Sequence, residues 1–103
     1  MTQEEKIAIG VMQIAAAQSN GICTFKRAYA EIPRHVKLSA GNVTQSIKRP
    51  REPMWHQIVR NIKSHQGKGQ RNFIDEGLLV HIPRVGYQVT PKGLSFLKQH
   101  GFA

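Results

Sequence analysis

PMWHQIVRNIKSH, Pro53 to His65, and LLVHIPRVGYQVT, Leu78 to Thr90, are the two stretches whose reading decides the fold. In the first, Trp55, Ile58, Val59 and Ile62 fall at i, i+3, i+4 and i+7, the spacing that lines one face of an α-helix with apolar side chains. Pro53 suits a first helical turn, where its missing amide costs nothing. A helix over about 53–65 is expected, with Trp55 as its anchor in the core. The second stretch reads as two strands, Leu79 to Ile82 and Tyr87 to Val89, around a tight Pro-Arg-Val-Gly connection. Leu79, Val80 and Ile82 are expected to face Tyr87 and Val89 across the pair. A two-stranded hairpin is marginal alone, so helices must cover its apolar side.

Those helices can be read on either side. Thr2 and Glu5 form a capping box that starts helix one, which runs to about Gln18 on the repeat of Ile7, Val11, Ile14 and Ala15. Asn20-Gly21 stops it. Thr24 caps a second helix, Phe25 to Ile32, ended by Pro33, with Phe25, Ala28, Tyr29 and Ile32 inward. A short helix at about Ser39 to Ile47 precedes a basic connection. After the hairpin, Thr90 and Pro91 start a last helix, Lys92 to His100, which gives Leu94, Phe96 and Leu97 to the core. The expected fold class is therefore mainly α with a small β-hairpin, a winged helix-turn-helix, in one domain over 1–103.

Charge distribution narrows the partner. The 103 residues hold 15 Lys and Arg against 6 Asp and Glu, a net +9. Phe25 to Arg71 carries the whole excess, with eleven cations opposed by Glu31 and Glu52 alone. Concentration of this kind points to a polyanion. On the helix over 53–65, the side away from Trp55 presents His56, Gln57, Arg60, Lys63 and Ser64, with Asn61 and His65 at its margins. Arg offers a donor fork to guanine, and Gln and Asn match adenine's donor and acceptor. Lys and Ser reach phosphates or base edges. No carboxylate interrupts that face in the sequence. Arg49 and Arg51 before the helix, Lys68 and Arg71 after it, and Arg84 at the hairpin tip are expected phosphate contacts, which give affinity without sequence choice.

Catalysis finds no support. The five histidines lack metal-ligand spacing, Asp75 and Glu76 are adjacent in a turn, and Gly67 and Gly69 follow a helix where a phosphate loop would precede one. No triad can be drawn. We expect no enzyme, no cofactor and no metal. The lone Cys23 excludes an internal disulfide and reads as a small core residue in a reducing compartment. No apolar run approaches the roughly 20 residues of a membrane span. The polar MTQEEK start lacks the shape of a secretory signal. The sequence thus reads as a cytoplasmic protein with no membrane contact.

WHQIVRNIKSHQGKGQRNFIDEGLL, followed by VGYQVTPKGLSFL, resembles the winged-helix module of modification-dependent restriction endonucleases of the HNH and Mrr-like kinds. The resembling part is Pro53 to Lys98, carried by Trp55, Arg60-Asn61, Ser64-His65, Asn72, Gly77-Leu78, Gly86-Tyr87, Thr90 and Gly93. The resemblance implies a reader of double-stranded, methylated DNA, with His56, Gln57, Arg60, Asn61, Lys63, Ser64 and His65 as its reading surface. It also implies a fused or associated nuclease domain as partner, which this sequence does not contain. A second reading is a winged helix used for protein contact, as an adaptor, transcriptional regulator or homodimer through helix one. There Ile7, Ile9, Val11, Met12 and Ile14 spread over more of the circumference than one small core is expected to cover. RNA is disfavoured, because no exposed aromatic pair offers a platform to single-stranded bases.

Overall fold

The computed structural model describes residues 2–43, 52–64 and 71–102. Its elements are α1 (Gln3–Ala16), β1 (Ile22–Thr24), α2 (Phe25–His35), α3 (Ala40–Val43), α4 (Met54–Asn61), β2 (Leu79–Ile82), β3 (Gly86–Val89) and α5 (Pro91–Gln99). The remainder of the short helix expected at Ser39 to Ile47 lies outside the described residues, as do Arg49, Arg51, His65 and Lys68.

Helix α1 starts on the capping box read from the sequence. Thr2 Oγ1 accepts from the Glu5 amide at 3.1 Å, and Glu5 Oε1 accepts from the Thr2 amide at 3.3 Å. The helix ends at Ala16, two residues early, because the Gln18 amide turns back to Ala15 and Gly21 takes a left-handed φ of 70°. It packs against α2, α4, α5, β1 and β3. That central position explains why it is apolar almost all round: Ile7, Ile9, Val11, Met12 and Ile14 are each at most 3% exposed. The surplus apolar surface expected on helix one does not exist, and with it goes the reason for a homodimer through that helix. The crossing with α2 is close. A Cβ at Gly10 would lie 2.9 Å from Ile32 Cδ1 and 3.0 Å from Val36 Cγ2.

The sequence reading omitted β1. Ile22, Cys23 and Thr24 pair antiparallel with Gln88, Tyr87 and Gly86, and β2 pairs with the other edge of β3, so the sheet order is β1-β3-β2. A Cβ at Gly86 would overlap the Cys23 carbonyl, so this strand pair requires glycine there. In the hairpin, Leu79 stands opposite Val89 and His81 opposite Tyr87, while Val80 stands opposite Gln88. Val80 therefore points away from the core and is 47% exposed, contrary to expectation. Leu94 is a second correction, at 45% exposure. Gly93 and Leu97, four residues apart, hold the inner line of α5, with Phe96 beside them.

Helix α2 passes through Pro33 to His35 where a stop was expected. Pro33 has no amide to donate to the Tyr29 carbonyl and its ring crowds that group, yet the helix runs on to His35 and the Val36 amide still closes on Ile32 at 3.0 Å. Thr24 and Thr90 cap α2 and α5 as expected, accepting from the Arg27 and Gly93 amides. The result is a small domain, mainly helical, with a three-stranded antiparallel sheet that contains the expected hairpin. No helix among the described residues is long and apolar enough to cross a membrane.

Candidate nucleic-acid interface

Trp55 and Val59 are buried along α4, and Ile62 is buried just beyond it, while Ile58 is half-buried. The helix stops at Asn61, short of the expected His65, and the cause is tertiary. In a longer helix the Val59 and Arg60 carbonyls would accept from residues 63 and 64. Instead Tyr87 Oη donates to both, at 2.7 Å and 3.2 Å, and the Ser64 amide closes a tighter turn on Asn61 at 3.0 Å. Asn72 completes the stop. Its Nδ2 donates to the Ile62 and Ser64 carbonyls, at 3.4 Å and 3.0 Å, while its Oδ1 accepts from the Ile74 and Asp75 amides. Tyr87 lies on β3 with Phe25 edge-on at 5.6 Å. Its hydroxyl fastens the end of α4 to the hairpin, and burial keeps it protonated by pushing its pKa up.

Among the residues expected on the polar face, Asn61 and Lys63 are exposed, while Gln57 and Ser64 are half-buried. Asn61 thus belongs to the outermost surface, where a margin position was expected. Lys63 lies beyond the helix, near enough to the hairpin that its charge adds to the burial lowering the His81 pKa.

His56 and Arg60 are less free than expected. Glu52 is close in space to both, so a carboxylate does stand beside this face. Arg60 Nη1 donates to Glu52 Oε1 and, at 3.3 Å, to the Tyr29 hydroxyl, and Nη2 donates to Glu52 Oε2 at 3.1 Å. The pair raises the Arg60 pKa, first through that hydrogen bond. His56 lies 3.4 Å from Glu52 Oε1 through Nδ1, stacks on Tyr29 at 4.0 Å between ring centres, and meets Trp55 edge-on at 4.3 Å. With its side chain 18% exposed, His56 packs between α2 and α4 and is less open than an outward position on the helix would make it. Burial lowers its pKa, and Glu52 opposes the shift.

Arg71 is also committed. Its Nε and Nη2 donate to Glu76 at 2.9 Å and 2.5 Å, and its guanidinium lies 5.0 Å from the Phe73 ring centre and 5.2 Å from that of Phe96. That hydrogen bond holds Glu76 below the usual carboxylate range. Arg71 therefore holds together the loop before β2. Arg84, by contrast, is exposed at the hairpin tip with a left-handed φ of 66°. Neither it nor Lys63 pairs with a carboxylate among the described residues.

Sequence reasoning also missed a cleft of about 250 Å³ between the start of α1 and α4. Met54, Gln57, Ile58 and Asn61 form one wall, Glu4 and Glu5 stand on the other, and Phe73 contributes to the lining. Burial pushes the Cys23 thiol up to about 12, which disfavours the nucleophilic thiolate. Comparison with protein-family models, curated proteins and solved structures finds no match to this chain.

Proposed function

We propose that the domain is a winged helix that binds double-stranded DNA, with α4 in the major groove and the β2–β3 connection as the wing. The observation that carries this reading is the clasp between α4 and the hairpin. Tyr87 ties the carbonyls at the end of α4 to β3, and so fastens the polar end of that helix to the hairpin. The sheet order β1-β3-β2, with α2 and α4 inserted in the chain between β1 and β2, agrees with that architecture.

In this reading Gln57, Asn61 and Ser64 face base edges, and Lys63 and Arg84 take phosphates. Arg49, Arg51, Lys68 and His65, carried from the sequence, would flank them. Recognition of a methylated base is part of the proposal, because Met54 and Ile58 line the cleft beside Gln57 and Asn61 and offer a methyl group apolar contact. A fused or associated nuclease would turn such reading into restriction. Protein contact is the second reading, favoured by the exposure of Val80 and Leu94.

The test is an anisotropy titration of labelled duplex over a range of salt, using unmodified, N6-methyladenine and 5-methylcytosine forms. The expected slope of log affinity against log salt is about −3 or steeper, set by Lys63, Arg84 and the flanking cations. A flat response favours protein contact. Equal affinity for the three duplexes removes the methylated base from the proposal.

A further inference from the structure

A guanidinium carries five N–H donors in a fixed plane, and at Arg60 three of them are assigned. Both Nη1 protons are used, one toward Glu52 Oε1 and one toward the Tyr29 hydroxyl, and one Nη2 proton goes to Glu52 Oε2. The two with no acceptor among the described residues, on Nε and on Nη2, are parallel and lie along one edge. That edge is itself a bidentate donor with the geometry that matches the O6 and N7 acceptors of guanine. Glu52 grips the opposite end from the residues just before α4, and its side chain is 16% exposed, so the grip is sheltered from competing water. Tyr29, itself stacked on His56, holds the guanidinium at a third point by accepting from Nη1. An unsupported arginine would have to surrender side-chain entropy on meeting a base; this one has already done so.

We propose that Glu52 is a positioning residue that makes Arg60 a guanine reader through its Nε/Nη2 edge. The inference rests on the reading of α4 as the groove-bound helix. Glu52 sets base choice and contributes little to overall affinity, whereas Lys63 and Arg84 do the reverse.

The experiment begins with a duplex selected from a random pool by the wild-type protein. That duplex is then rebuilt with 7-deazaguanine at each guanine in turn, which deletes the N7 acceptor and leaves base pairing intact. The wild type is expected to lose roughly fivefold to tenfold affinity at one guanine and little elsewhere. Glu52→Gln and Arg60→Lys, checked for an intact fold by near-ultraviolet circular dichroism, should bind both duplexes alike while keeping the salt dependence of the wild type. Failure of the wild type to select any duplex overturns the DNA-binding reading and this inference with it. A selected duplex in which no 7-deazaguanine position matters overturns only the inference, as does a Glu52→Gln protein that still discriminates. The substitution in the duplex needs no variant, so a variant that fails to fold leaves the guanine contact testable.

Discussion

Tyr87→Phe isolates one hydroxyl. The ring of Tyr87 is 1% exposed and packs against Phe25, and phenylalanine preserves that packing, so the change removes only the proton shared between the Val59 and Arg60 carbonyls. Loss of one such hydrogen bond costs about 1 kcal/mol net. The carbonyls left behind add to it. Val59 keeps a long bond from the Ile62 amide at 3.4 Å, while among the described residues Arg60 keeps no other donor. A total of about 1–2 kcal/mol follows. For a domain near 100 residues the unfolding entropy converts this to roughly 5–10 °C in midpoint. Thermal unfolding followed by far-ultraviolet circular dichroism measures it, with urea titration as an independent estimate. Tyr29→Phe is the control, because its hydroxyl only accepts from Arg60 at 3.3 Å in a half-buried setting, and the expected cost is within about 0.5 kcal/mol. Equal midpoints for wild type and Tyr87→Phe would refute the clasp as the tie between α4 and the hairpin.

Three further outcomes are expected. Trp55→Ala removes a side chain that is 4% exposed beneath Tyr29 and His56, and should cost about 3–5 kcal/mol in urea unfolding. Gly86→Ala drives a Cβ into the Cys23 carbonyl and should separate β1 from β3; a cost on the order of 3 kcal/mol or more, and lost amide protection at Phe25 and Val89, would register it. The third concerns pH. His56 and His81 both have folded pKa values below their ordinary value of 6.5, chiefly from burial, so the unfolded chain binds protons more readily than the fold does. Their stability contribution is complete above 6.5 and is lost as pH falls from there through the folded values. Midpoints should decline between neutral pH and about 5, and His56→Gln should flatten part of that slope while His81 retains the rest.

What could be read from the sequence is what short-range rules govern. The Thr2–Glu5 box, the Thr24 and Thr90 caps and the Trp55, Val59, Ile62 line each depend on neighbours within a turn or two, and each stands in the structure. The misses share a different cause. Three residues of β1 are too few for an alternating pattern and acquire strand character only because β3 lies beside them. Helix α4 ends where Tyr87, 26 residues beyond Asn61, takes over its carbonyls and Asn72, 11 residues beyond, holds those of the turn that follows. Val80 and Leu94 looked like core residues because apolar character alone does not say which side of a strand or helix faces inward.

The candidate site divides along the same line. Lys63 and Arg84 are exposed as expected, and neither pairs with a carboxylate among the described residues. Arg60, His56 and Arg71 looked available in the sequence, but acidic partners five to eight residues away engage Arg60 and Arg71, and Glu52, Tyr29 and Trp55 enclose His56. In the sequence Glu52 is only an exception to the basic excess. Its pairing with Arg60 is what turns that arginine from a flexible cation into an oriented one.

Amide chemical-shift mapping with a short duplex tests the central claim most directly, because it reports location as well as binding. The account predicts that the largest shifts fall on Gln57, Arg60, Asn61, Lys63, Ser64 and Arg84, with the outer side of β2 and α5 unmoved. Shifts centred on Val80 and Leu94, or none at a duplex concentration that saturates a cationic surface at low salt, would contradict it.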